Sequence, residues 1–307
     1  MTRAPLPSPS EFADAPQKSL ALFGMSGVGK THLARLLSEF GDWHHYSVDH
    51  RIGARYMAEH ITDNLTRAAM ASPVLRPQLM TGAIRIEPQL TPDNLTALSC
   101  YLGKPGDPLC GGLDFGEYAR RQAQHREAEI MAMLDAPIFM RKARETYEKP
   151  HFLCDTSGSM VEVVDADDPH DPLLVELTRH MLFVYIRGTE DDEAELAARF
   201  DRDPKPLYFD EGYLTALWEE HRAETDTPAH QVDPDAFMRW SFTRLIRRRA
   251  PRYAAIADQW GITLDRRDVA RVGDPADLVA LICDTLAAAA AETAAPEPAR
   301  RSTGDRR

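Results

Sequence analysis

Cysteine is scarce in this chain. The four in 307 residues (Cys100, Cys110, Cys154 and Cys283) share no C-x-x-C spacing. That excludes a disulfide framework, leaves little prospect of a zinc site, and fits reduced thiols in a cytoplasmic protein. Long apolar runs are missing too. No stretch approaches the roughly 20 consecutive apolar residues of a membrane span, and residues 1–10 lack the apolar segment of a secretory signal. Basic charge is in deficit, with 36 Lys and Arg against 48 Asp and Glu, a formal net charge of −12. A general nucleic-acid binder carries the opposite sign. A local basic pocket for a small anion remains compatible with that balance. Apolar material is ample at 43% of residues, enough for one large α/β domain or a core with an appended lobe.

Short apolar runs alternate with helical patterns, which predicts a parallel sheet flanked by helices. The candidate strands are 18–23, 44–48, 151–154, 181–186 and 262–264. The candidate helices are 30–40, 116–134, 190–200, 210–223, 233–249, 252–260 and 275–290. Residues 1–16, rich in Pro, Ala and Ser, and 292–307, a Pro-then-Arg tail, read as disordered ends. Residues 17–291 form the expected single domain. The segment 62–113 has weak periodicity and reads as an insertion packed over the core.

Residues 24–31 complete the pattern G-x-x-x-x-G-K-[ST], in the order Gly24, Met25, Ser26, Gly27, Val28, Gly29, Lys30, Thr31. The run Leu20 to Phe23 before it reads as a buried strand. The stretch after it, through His32 to Phe40, reads as a helix. That context separates a phosphate-binding loop from a chance string. The three glycines let the backbone wrap closely and turn N–H groups inward. The helix N-terminus adds positive potential. Lys30 can reach β- and γ-phosphates, and the Thr31 hydroxyl suits Mg²⁺. The expectation is a nucleoside-triphosphate site, with ATP and Mg²⁺ as cofactors; no N/T-K-x-D guanine-reading motif follows.

Two aspartates end candidate strands. Asp155 closes 151–155, where a carboxylate beside the loop can bind Mg²⁺ directly or through water; capping the turn Thr156 to Ser159 is the alternative. Asp49 follows the second strand on the acceptor side. A carboxylate there can take or orient the hydroxyl proton of an attacking substrate; capping a helix that begins near Arg51 is the alternative. Further along, Arg199, Arg202 and Lys205 read either as a cationic lid over the transferring phosphate or as a solvated helix end.

This ordered set resembles the shikimate kinases and their small-molecule kinase relatives. The resemblance implies a three-layer P-loop NTPase fold with helical insertions at about 60–113 and 208–240. It makes Asp49 the residue that engages the acceptor hydroxyl. His125-Arg126-Glu127-Ala128-Glu129 is similar to the family's F-R-x-x-E helix motif, which implies Arg126 as a substrate-binding arginine oriented by Glu129. Lys205-Pro206-Leu207 stands where the family's lid ends in R-P-L. Arg249-Ala250-Pro251-Arg252-Tyr253 is similar to R-x-P-L-Y and implies Arg249 as a second substrate-binding residue. Ser47 stands where the family has the first Asp of a D-x-D pair, and Asp155 to Ser159 replace its triple-glycine loop. A lysine at 205 loses bidentate phosphate geometry. These departures point to an acceptor larger than shikimate that carries a carboxylate or phosphate.

The leading expectation is a kinase that moves the γ-phosphate of ATP to a hydroxyl of a small anionic metabolite. Lys30, Asp49, Arg202 and Lys205 would be catalytic, and Thr31 and Asp155 would hold the metal. Two alternatives remain: a P-loop ATPase switch or assembly module that engages a protein partner through the insertions, and a nucleotide kinase.

Overall fold

A computed structural model describes residues 4–294. Five strands form one all-parallel sheet: β1 (Ser19–Phe23), β2 (Trp43–Ser47), β3 (His151–Asp155), β4 (Leu182–Arg187) and β5 (Gly261–Asp265), in the order β2-β3-β1-β4-β5. Each expected strand lands within one residue of an observed one. Their runs are apolar because both faces are covered, as parallel sheets require. Residues 20–23 of β1 are fully buried. Side chains alternate across the sheet, so Ala21, Phe23, Phe152, Cys154, Phe183 and Tyr185 join one core. Leu20, Leu22, Leu153, Val184, Ile186 and Ile262 join another on the opposite face.

In chain order the helices are α1 (Pro9–Asp14), α2 (Lys30–Glu39), α3 (Val48–Arg51), α4 (Ala58–Ala69), α5 (Leu75–Met80), α6 (Thr96–Leu102), α7 (Phe115–Leu134), α8 (Ala136–Tyr147), α9 (Met160–Val163) and α10 (Pro172–Thr178). They continue with α11 (Glu190–Arg202), α12 (Glu211–Thr225), α13 (Pro234–Trp260), α14 (Arg266–Val269) and α15 (Pro275–Ala294). Helices α7, α8, α10 and α13 line the first core; α1, α2 and α15 line the second. A third cluster, around Tyr118, Phe209, Trp218 and Phe237, joins α7, α12 and α13. Residues 60–113 supply most of α4 and all of α5 and α6, with Ile61, Leu98 and Tyr101 packed into the first core, whereas residues 208–240 supply much of the third cluster.

Three expectations change. Residues 4–16 are not a loose tail. Ser8 and Glu11 form a capping box that starts α1, Phe12 is buried, and the Ala4 N–H donates to the Gln259 carbonyl at 2.8 Å. The composition reads as loop, but S-x-x-E is also a helix-start signal. The helices expected at 233–249 and 252–260 are one, running through Pro251. Proline costs about 3 kcal/mol in a helix interior; here Leu245, Ile246, Tyr253 and Ile256 are buried on both sides of it and hold the rod together. Finally, α15 continues past 291 to Ala294, and the rest of the expected C-terminal tail lies outside the described residues.

Candidate functional site

The loop at 24–29 joins the end of β1 to the start of α2. Gly24 has φ +136°, and a Cβ there would lie 2.7 Å from the Ile186 carbonyl oxygen, so no other residue fits. Gly29, left-handed at φ +104°, precedes the first helical residue, Lys30. Met25 is half-buried and Val28 buried, while Ser26, Gly27, Thr31 and His32 face outward. Lys30 folds back over the loop. Its Nζ donates to the carbonyls of Gly24 at 2.8 Å and Met25 at 3.0 Å. Burial pulls its pKa down, against the opposing pull of Asp155 and Asp49.

Thr31 Oγ1 donates to Asp155 Oδ2 at 2.7 Å, so the hydroxyl after the lysine and the carboxylate ending β3 meet beside the loop. Both are hard oxygen donors, the kind Mg²⁺ takes; one or two from protein suffice where phosphates supply others. Among the described residues no group of three or more His, Cys, Asp or Glu side chains forms a metal cluster. His45 Nε2 approaches the same Asp155 oxygen at 3.8 Å and is buried without a hydrogen-bond partner.

Asp49 sits in α3, just past β2. The helix cap falls to Ser47, whose Oγ accepts from the His50 N–H at 3.3 Å, so capping does not occupy the Asp49 carboxylate. Burial raises the Asp49 pKa to about 6; the Asp155 charge adds to this and Lys30 opposes it. The chain then makes a π-helical turn at Ile52–Tyr56, a device often found at functional sites.

Glu129, on α7, is fully buried. It accepts from the hydroxyls of Ser157 and Ser159, the latter at 2.9 Å. Burial raises its pKa to about 7, despite those two donors; the Asp49 charge adds to the rise. The neighbouring His125, 3.6 Å away, is pushed down to about 4, first by burial and then by Arg249, and is neutral near pH 7. Glu129 does not orient Arg126. The two are three residues apart, yet Glu129 belongs to the buried stripe of α7 while Arg126 is exposed. Arg126 borders a separate open cavity of about 490 Å³ shared with Glu162, Asp210, Arg248 and Arg252.

Arg249 comes from α13, and protein groups engage all three of its nitrogens. Nε donates to Glu162 Oε1 at 2.9 Å, Nη1 to the Gly158 carbonyl at 3.0 Å and Nη2 to the Tyr208 carbonyl at 2.7 Å. Its charge is felt at Lys30, His125 and Glu129, so it lies against the cleft while fastening the loop after β3. That loop abuts the 24–29 loop: a Cβ on Gly158 would lie 3.4 Å from the Ser26 nitrogen. Sequence reasoning set Asp155 to Ser159 in place of a triple-glycine loop but gave Ser157 and Ser159 no role of their own, and it missed Glu162 as part of this wall. The Ser157-Gly158-Ser159 string at a strand end was the available signal.

The lid residues separate. In α11, capped by Thr189 and Asp192, Arg199 reaches the loop, with Nη2 3.1 Å from where a Gly27 Cβ would be. Arg266, after β5, ion-pairs with Asp192 and ties the lid's first turn to the sheet. Arg202 and Lys205 stay in solvent; among the described residues Lys205 is ion-paired with Asp203 alone, at 3.7 Å. No protein-family model, curated protein or solved structure matches this chain.

Proposed function

We propose that this is an ATP-binding P-loop protein, and a kinase that transfers the γ-phosphate to a hydroxyl of a small anionic metabolite. One observation carries the reading: Lys30, the Thr31–Asp155 pair and the elevated carboxylate of Asp49 converge at the C-terminal ends of β1, β2 and β3. Open α/β sheets bind ligands at that edge. The loop amides and Lys30 would hold the phosphates, and Thr31 and Asp155 would hold Mg²⁺, which supplies charge neutralisation of the triphosphate. Asp49, with a pKa near 6, is ionised at pH 7 yet basic enough to accept the acceptor hydroxyl's proton. Arg199 would screen the transferring phosphate from water.

The test is ATP turnover with Mg²⁺ across hydroxy acids, sugar acids and nucleosides, with products read by mass spectrometry. A phosphorylated product that disappears in Asp49→Asn supports the kinase. Slow hydrolysis that no small molecule stimulates overturns it and favours the second reading, a partner-dependent ATPase. That reading has its own support: Val74, Met80 and Leu109 of the 60–113 insertion stand 70%, 69% and 95% exposed, an apolar display suited to a protein partner.

A further inference from the structure

An open cavity of about 830 Å³ lies at the other end of the sheet, where β1 and β4 begin at Ser19 and Leu182. Small-molecule sites span about 300–1,000 Å³, so the space suits an organic ligand. It is not an extension of the nucleotide cleft, because the length of β1, about 16 Å at ~3.3 Å per residue, separates them. Its walls come from the segment before α1, from α8 and α10, and from the end of α13. Leu6, Met140, Val175, Met181, Leu182 and Trp260 make them largely apolar.

The charges are distributed unevenly. Arg144, half-buried on the wall, donates from Nη2 to Ser19 Oγ at 3.0 Å and from Nε to the Pro150 carbonyl at 3.5 Å. No carboxylate among the described residues pairs with it, and burial alone pulls its pKa down. Lys18, also on the wall, donates to the carbonyls of Ala13 and Ala15, at 3.1 and 2.7 Å, lies over the Phe12 ring at 5.9 Å, and has no carboxylate partner among the described residues. Arg179 is the contrast, with its charge spent on Glu176 at 2.8 Å. Among the described residues the lining holds one acid, Glu11, which accepts from the Ser8 N–H at 2.7 Å and keeps its charge, leaving the lining with more cations than anions. A chain of net charge −12 thus sets two cations, Arg144 and Lys18, neither ion-paired among the described residues, on the lining of a partly apolar space. Arg144, half-buried and without a carboxylate partner, is the cation here that an anion would compensate.

We propose that this cavity is a second ligand site, which takes an amphipathic organic anion: a carboxylate held by Arg144 and Lys18, with a medium-length alkyl or aryl body against Met140, Val175 and Trp260. The inference is independent of the reading of the phosphate-binding loop.

The test is titration calorimetry on the full chain with laurate, dodecanol and inorganic phosphate, with and without saturating ATP and Mg²⁺. Laurate should bind one-to-one at micromolar concentration, quench or shift Trp260 fluorescence, and be unaffected by ATP. Dodecanol should bind at least tenfold more weakly. Arg144→Met should weaken laurate at least tenfold, and Val175→Phe, which fills the cavity, should weaken it independently. Unchanged thermal unfolding midpoints would show that both variants fold, and Trp260→Phe should erase the optical signal. Four outcomes each overturn the proposal: no laurate binding, equal binding of dodecanol, displacement by phosphate or ATP, or full affinity in both variants.

Discussion

Arg249 and Arg199 both lie near the glycine-rich 24–29 loop, one through Gly158 and one beside Gly27, and are held in opposite ways. Arg249, on the wall, has its guanidinium spread over Glu162, Gly158 and Tyr208. Arg199, on the lid, approaches Gly27 and has no ion pair among the described residues. The same contrast extends to their neighbours: Lys30, Asp155 and Glu129 are buried and bonded, while Arg202 and Lys205 are in water. In the proposed kinase the bonded wall charges would need no reorganisation during phosphotransfer. If α11 acts as a lid in that kinase, its cations, without ion pairs among the described residues, would be ordered only on closing, which suits gating better than positioning.

Substitutions should divide along this line. The largest effect is expected at Asp49, the proton acceptor of the proposed kinase. Asp49→Asn should lower turnover by about 10²–10³-fold, the range for losing a positioned acid–base group. In the parent protein, turnover should fall as pH drops through about 6, because burial raises Asp49 and the protonated form cannot accept a proton. A parent profile flat down to pH 5 would sink that role. Lys30→Met comes next. Beyond a turnover loss of about 10²-fold, it removes the cation that opposes the rise at Asp49, so the remaining acid limb should move to higher pH. An unmoved limb breaks the coupling of the two residues.

Arg249→Met probes the wall as structure. It leaves Glu162, fully buried, without its closest cation, and losing one partner of a buried pair costs about 3 kcal/mol. Chemical denaturation would register this, and a loss under 1 kcal/mol would show that the guanidinium is dispensable to the wall. Arg199→Ala, by contrast, should lower turnover by about tenfold and leave stability within about 0.5 kcal/mol. Equal losses of stability in the two arginine variants would erase the distinction between wall and lid.

The smallest effect concerns Glu129. Its folded pKa, about 7, lies above its ordinary 4.5, so the folded chain holds a proton that the unfolded chain releases between those values. Its contribution to stability is full in acid and lost as pH rises through 7. Glu129→Gln should flatten that part of the stability–pH curve, measured by denaturation at pH 5 and pH 8.

The sheet was legible in the sequence because buried parallel strands are continuous apolar runs bounded by turn residues, and 20–23 and 151–154 offer nothing else to read. The loop was legible because its glycines and its lysine are neighbours in the chain. The wall was less so. Glu129, Ser157 and Arg249 are brought together by α7, the loop after β3 and α13, and no local spacing encodes that meeting. The pairing of Arg126 with Glu129 failed for a related reason: a spacing of three gives proximity on a helix, but burial decides which way each side chain faces. Pro251 misled because tertiary packing outweighed a local cost.

Gly24 carries a consequence for descent. A Cβ at that position meets the backbone oxygen of Ile186 whether or not a nucleotide is ever bound. The fold itself therefore polices this glycine, while Lys30 and Thr31 are tied to the structure only by side-chain hydrogen bonds to the loop carbonyls and to Asp155. In a lineage that had lost phosphate binding, Thr31 and Lys30 would erode first and Gly24 last. A duplicated copy with Gly24 intact and Lys30 replaced would mark a scaffold that outlived its reaction.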